Sequence, residues 1–117
     1  MGARQTLGAH GEELVAERLR DQGFELLARN ARSGRLELDL VAARGDLVVF
    51  CEVRTLRSNA LYEPAESVGR AKIARVRRAA AQWLAAQRLQ FREIRFDVAS
   101  VVLGGPEPVI TYFEAAF

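Results

Sequence analysis

Histidine, cysteine, methionine, tryptophan and lysine each occur once in this 117-residue chain. One histidine and one cysteine cannot furnish the four nitrogen or sulfur ligands of a structural zinc site. A lone Cys51 cannot form an internal disulfide, and its apolar neighbours point to a buried thiol in a strand rather than a reactive one. His10 is expected at a loosely held surface position near the N-terminus. No apolar run approaches the ~20 residues of a membrane span. The N-terminus lacks the charged-then-apolar pattern of a signal peptide, so a cytoplasmic location is expected. Proline is scarce, and no repeat, low-complexity tract or Pro/Ser-rich linker divides the chain, so residues 1–117 are read as one domain. The glycines form no phosphate-cradling motif, which argues against nucleotide hydrolysis.

What the chain does have is an uneven charge distribution. Its net charge is only +2, and sixteen of its seventeen basic residues are arginine. Residues 1–66 carry nine basic and eleven acidic side chains; residues 67–92 carry seven basic and none acidic; residues 93–117 carry one and four. A basic block beside acidic segments suits an anionic polymer held near a metal site. By itself, however, a charge run is more often a solvated helix face.

Periodicity predicts α-β-β-β-α-β with a short last β element. A first helix spans about Thr6 to Gln22, with apolar residues near helical spacing and Gly23 as its C-terminal cap. Phe24 to Asn30 reads as a strand. Leu36 to Arg54 reads as a β-hairpin turning at Arg44-Gly45-Asp46, and a polar loop follows from Thr55 to Glu66. Ser67 is the expected cap of a second helix ending near Gln87. On that helix Val68, Ile73, Val76, Ala80 and Trp83 gather on one side, which makes Trp83 a core residue rather than a base-stacking platform. Arg70, Arg75, Arg77 and Arg78 point away from this stripe and are the candidate nucleic-acid-binding residues. Lys72 falls only about 40° from its centre. A lysine there either snorkels past the sheet, the commoner outcome, or reaches an anionic site beneath the helix. Ile94 to Val102 and Val109 to Phe113 supply the last strands, separated by Gly104-Gly105-Pro106. Antiparallel hairpins joined to a helical crossover imply an α/β fold with a mixed sheet flanked by helices.

The hairpin carries the chemistry. Strand alternation places Glu37 and Asp39 on one face of its first strand, and Glu52 and Arg54 on one face of its second, beside Val48 and Phe50. Charge on a half-buried sheet face is costly unless compensated. A divalent cation is the compensation this pattern favours, because Mg²⁺ and similar hard ions take carboxylate oxygen. Bound between Asp39 and Glu52, such an ion polarises a phosphate and activates water, while Arg54 offers charge to the transition state. The competing account is a set of cross-strand ion pairs, for example Arg54 with Asp39, which fixes register at little energy. As a bare pattern the ion pairs are the commoner case.

The motifs taken together resemble those of the YraN-like uncharacterised bacterial proteins. They are Gly11-Glu12 in the first helix, Asn30, Glu37-Leu38-Asp39-Leu40-Val41, and Val49-Phe50-Cys51-Glu52-Val53-Arg54. Lys72, Arg95-Phe96-Asp97-Val98 and Ala116-Phe117 follow in order. The resemblance spans nearly the whole chain and implies a restriction-endonuclease-like αβββαβ core. It also implies Asp39 and Glu52 as metal ligands for Mg²⁺ or Mn²⁺, Glu37 flanking them, and Glu12 approaching from the first helix. Two positions depart from the family pattern. Leu36 replaces a glycine, removing backbone freedom where the strand begins. Arg54 stands where many such nucleases have lysine, and an arginine cannot act as a general base. The function implied is metal-dependent endonucleolytic cleavage of DNA, with branched or damaged structures as candidate substrates. The alternative is a nucleic-acid-binding module of the same fold in which Arg54 fills the space a metal needs.

Overall fold

A computed structural model describes residues 6–57 and 69–117. The elements are α1 (Leu7–Asp21), β1 (Glu25–Ser33), β2 (Leu36–Arg44), β3 (Leu47–Arg57), α2 (Arg70–Gln87), β4 (Glu93–Leu103) and β5 (Val109–Phe113). The five strands form one mixed sheet in sequence order, β1-β2-β3-β4-β5. Neighbours are antiparallel except β3 and β4, whose parallel pairing is bridged by α2. Each helix covers one face. Val15, Ala16 and Leu19 of α1 pack with Leu40, Val49, Cys51, Ala99 and Val101. Val76, Ala79, Ala80 and Trp83 of α2 pack with Val41, Val48, Phe50 and Phe96. The α/β mixed sheet between helices expected from periodicity is therefore present.

Local chemistry sets the boundaries. The Thr6 hydroxyl accepts from the Ala9 N–H at 3.1 Å and caps α1. Gly23, at φ +88°, ends it. Its N–H donates to Arg20 O, and the Phe24 N–H to Leu19 O, both at 3.0 Å. Leu19 and Phe24 are buried in one cluster, which completes the Schellman motif. The β2–β3 loop is two residues, Gly45-Asp46, because Arg44 already pairs with Leu47. His10 is exposed but not loose, since it belongs to α1 and its N–H donates to Thr6 O at 3.0 Å. Cys51 and Trp83 are both buried, as expected, with Trp83 edge-on to Phe50.

Three expected boundaries are corrected. The strand expected to stop at Asn30 runs to Ser33 and turns through Gly34-Arg35 into Leu36. Asn30 itself sits at φ +51°, so the strand passes through a residue that reads as a turn. β3 continues to Arg57 through Thr55, where a loop was expected, because β4 pairs with it along its whole length. α2 starts at Arg70 with Gly69 as its N-cap. Ser67, Val68, Tyr62 and Pro64 lie outside the described residues. Among the described residues, no helix is long and apolar enough to cross a membrane.

A buried polar knot secures the far end of the sheet. Asp97 is fully buried and accepts from Arg95 Nε at 2.9 Å, Tyr112 Oη at 2.5 Å and the Ala115 N–H at 2.9 Å. Ala116 N–H donates to Phe96 O at 2.8 Å, and the Phe117 ring packs on Phe96. Donors so arranged offset the cost of burying a carboxyl group.

Helix α1 approaches β3 closely at Gly11. A methyl there would overlap Thr55 Oγ1 and come within 3.0 Å of Thr55 Cβ and Cγ2. Gly11→Ala should thus lose about 1–3 kcal/mol of stability from overpacking, despite a helix-propensity gain of about 1 kcal/mol. Thr55→Ala should return part of that loss in the double variant. Urea unfolding of the four proteins measures the coupling; additive effects would show that the two residues do not oppose one another.

Candidate functional site

The sheet opens where the carboxylates lie. The β2–β3 ladder runs from Arg44/Leu47 to Leu40/Cys51 and stops there, while β3 stays paired with β4 and β2 with β1. Past that point the Val53 N–H donates to Asp39 Oδ2 at 2.9 Å, a side chain taking the place of a backbone carbonyl. Leu38 packs in the α2-side cluster and Leu40 in the α1-side cluster, so face alternation breaks at Asp39. Opposite, Asn30 holds its positive φ and donates from Nδ2 to Glu12 Oε1 at 3.1 Å. Here α1, β1, β2 and β3 converge.

A cavity of about 220 Å³ fills the opening, lined by Arg35, Leu36, Glu37, Asp39, Glu52, Lys72, Arg75 and Val76. Glu52 is 5% exposed and shares the α2-facing side with Phe50. Lys72, from the first turn of α2, places Nζ 3.4 Å from Glu52 Oε1. The commoner expectation for this lysine, snorkelling to solvent, is corrected: it reaches the anionic site. Arg75 and Val76 follow at helical i+3 and i+4 and face the same cavity. Arg75 therefore does not point away from the sheet as its helical angle suggested. Arg77 lays its guanidinium 4.7 Å over the Phe96 ring, so it also packs against the protein. Arg70 and Arg78 are exposed as expected.

Electrostatics follow from this crowding. Burial pushes the Glu52 carboxyl up to about 7, the neighbouring Asp39 charge pushes the same way, and Lys72 opposes both. Asp39 is also raised by burial, against the pull of the Val53 N–H and Lys72, with Glu37 adding to the rise. Glu12 is raised by burial too; its Asn30 bond opposes the rise, and the Asp39 and Glu37 charges reinforce it. The candidate acids Glu12, Glu37, Asp39 and Glu52 are thus brought within one another's fields. Arg54 is half-buried on β3, level with Ser100 of β4.

Among the described residues, no three or more His, Cys, Asp or Glu side chains stand as a ready-made metal cage. Two carboxylates are nonetheless a sufficient protein share for Mg²⁺, which keeps several waters and recruits substrate phosphates. Asp39 and Glu52 fit that chemistry: Glu52 is buried and Asp39 half-buried, burial raises both carboxyls, the Asp39 charge adds to the cost of ionising Glu52, and a divalent charge would relieve it. Sequence reasoning missed Arg35. It closes a turn in a stretch that read as loop, and only the pairing of β1 with β2 brings it to the cavity.

The sequence model of a family described as "Uncharacterised protein family UPF0102" matches residues 11–101. Among similar proteins, a UPF0102 protein of Nocardia farcinica is 48% identical, with all of this chain and 93% of the relative aligned. A UPF0102 protein of Rhodococcus opacus is 42% identical over the full length of both. One from Anaeromyxobacter dehalogenans is 45% identical, covering 97% of this chain and 85% of the relative.

The Glu52 shift has a consequence for stability. A carboxyl raised from 4.5 in the unfolded chain to about 7 in the folded one favours folding below pH 4.5. That contribution is lost as pH rises through 7, on the order of 3 kcal/mol in all. In EDTA, the thermal midpoint of the native protein should fall between pH 5 and 8. Glu52→Gln, which cannot ionise, should show a flatter profile and exceed the native protein at pH 8. Calorimetric scans across this range check it; parallel profiles would mean that Glu52 ionises without penalty.

Proposed function

This chain belongs to the UPF0102 family of uncharacterised proteins, and from its carboxylate cavity we propose that it is a nuclease of restriction-endonuclease-like fold. It would hydrolyse phosphodiester bonds of DNA with Mg²⁺ or Mn²⁺. The observation that carries this reading is the buried Glu52 beside the half-buried Asp39 at the point where β2 and β3 part, with Lys72 on Glu52. An ion pair made only for stability is better placed at the surface or replaced by apolar side chains. Glu52, buried beside the charge of the half-buried Asp39, is costly to ionise, and a cation there would offset that cost.

Asp39 and Glu52 would hold the cation, which when bound polarises the phosphate and lowers the pKa of the attacking water. Asp39 is oriented by the Val53 N–H and Glu52 by Lys72. Glu37 at the cavity wall and Glu12 behind Asp39 add negative potential that favours divalent over monovalent ions. Lys72 supplies a mobile positive charge for the phosphate. Arg54, permanently charged, can orient a phosphate but cannot accept a proton. The first turn of α2 carries Arg70 and Lys72 and no acidic residue. That is the reverse of what the helix dipole prefers, and a bound polyanion offsets the cost.

The decisive assay incubates the purified protein with branched, single-stranded and duplex DNA in Mg²⁺, in Mn²⁺ and in EDTA. Cleavage should require metal and fall in Asp39→Ala and Glu52→Ala by more than the roughly 10–100-fold that losing an outer-shell partner costs. Cleavage unchanged in both variants would be contamination and would sink the proposal. DNA binding without cleavage and without calorimetric binding of Mg²⁺ or Mn²⁺ would instead favour a binding module in which Arg54 fills the metal's space; stoichiometric metal binding abolished by Asp39→Ala would argue against that module.

The arginines of α2 divide by their surroundings. Each phosphate contact contributes about −0.9 to the slope of log affinity against log salt. Arg75→Ala with Arg78→Ala should flatten that slope by about two units, equally for all DNA sequences. Arg77→Ala should act more on stability, because Arg77 covers Phe96. Fluorescence anisotropy over a salt series decides; an unchanged slope in the double variant would move the DNA surface away from α2.

A further inference from the structure

The cavity contains three basic residues as well as three acidic ones, and their partners differ. Lys72 is committed to Glu52, at 3.4 Å. Glu37 has Arg32 near it, at 3.9 Å on the outer side of the β1–β2 hairpin. Arg35 and Arg75 line the cavity, yet neither guanidinium has a hydrogen-bond or ion-pair partner among the described residues. They reach it from opposite sides. Arg35 comes from the tip of the β1–β2 hairpin, whose two-residue turn Gly34-Arg35 holds Gly34 at φ +63°. Arg75 comes from α2, one turn beyond Lys72 on the same side of the helix. Arginine left unpaired beside acids is uncommon where geometry allows pairing, and its planar fork suits a phosphate oxygen pair better than lysine does.

Charge balance makes the same point. The lining acids Glu37, Asp39 and Glu52 and the lining bases Arg35, Lys72 and Arg75 cancel when all are ionised. A divalent cation on Asp39 and Glu52 would leave the cavity at +2, which calls for anionic charge at the same place. The volume of about 220 Å³ far exceeds the roughly 10–15 Å³ that one water requires, so an ion and a phosphate group fit together.

We infer that Arg35 and Arg75 form a two-sided clamp for one phosphodiester of a nucleic acid backbone, and that clamp and cation fill the cavity together, each tightening the other. This rests on the metal-site reading of Asp39 and Glu52 given above. Two consequences separate it from general attraction by a basic surface. The benefit depends on these two arginines, not on total charge. It is also reciprocal: the factor by which the phosphodiester tightens the cation equals the factor by which the cation tightens the phosphodiester.

The test is calorimetric titration of Mg²⁺ into the full chain, alone and with saturating thymidylyl-(3′→5′)-thymidine, which has a single phosphodiester; chromatography confirms that the dinucleotide stays intact. In the native protein the dinucleotide should tighten Mg²⁺ binding about fivefold or more, within the usual range of coupling between sites. Arg35→Ala/Arg75→Ala should bind Mg²⁺ alone at least as tightly as the native protein and lose the enhancement. Arg20→Ala/Arg92→Ala removes the same charge from exposed positions outside the cavity and should keep it. Thermal scans confirm that both double variants are folded. Enhancement surviving in Arg35→Ala/Arg75→Ala, or lost equally in both double variants, overturns the clamp while leaving the metal site in place. Failure of the native protein to bind Mg²⁺ under either condition overturns the metal-site reading and the clamp with it.

Discussion

The parting of β2 from β3 after Leu40 and Cys51 is the constraint on which the rest of the arrangement depends. A sheet that gives up backbone pairing in its interior leaves N–H and C=O groups to be satisfied. Here the Val53 N–H is taken by the Asp39 carboxylate at 2.9 Å. That one bond fixes where Asp39 points, while β3 continues beside β4 to Arg57. It also opens the space into which Glu52 faces and Lys72 descends. An unbroken ladder would leave no cavity, and the same acids would be surface charges.

The opening is tolerable because the sheet is secured elsewhere. Beyond the β3–β4 pairing, Asp97 gathers Arg95, Tyr112 and the backbone of Ala115, while Phe96 stacks on Phe50 and carries Phe117 and Arg77. Two buried carboxylates thus have opposite circumstances. Asp97 has donors on both oxygens and ties the structure together; Glu52 has one ammonium and an acidic neighbour, and its burial is a standing cost. The contrast marks one as structural and the other as poised for a further partner.

Period and turn chemistry made most of the fold legible: Leu7, Leu14, Val15 and Leu19 specified α1, Gly23 ended it, and Gly45-Asp46 fixed the hairpin. The bare pattern of Asp39 and Glu52 favoured cross-strand ion pairs, and only the family resemblance singled the two out; the structure shows the Asp39 charge acting on a buried Glu52. What escaped depended on contacts remote in sequence. β1 was cut short because Asn30 and the polar residues after it resemble a turn, whereas pairing with β2 carries the strand through. Lys72 was ambiguous because helical angle gives direction but not what lies beneath. Arg75 and Arg77 were placed outward by the same angle, yet long side chains fold back onto a cavity or a ring within reach. Asp97 was noted only within the Arg95-Phe96-Asp97-Val98 motif and given no role, because its partners Tyr112 and Ala115 come from the last strand and the turn after it.

The way α2 is attached has a mechanical consequence. Its middle lies close to the sheet through the fully buried Ala79 and Ala80, and the ring of Trp83 locks the following turn against Phe50. Toward its N-terminus the grip changes character: Val76 is the last buried side chain, Ile73 is only half-buried, and Lys72 holds on through charge. The C-terminal part of the helix is held by dense apolar packing. The N-terminal end is held in part by an ion pair over the cavity, an attachment that dissolved salt screens and the apolar one does not.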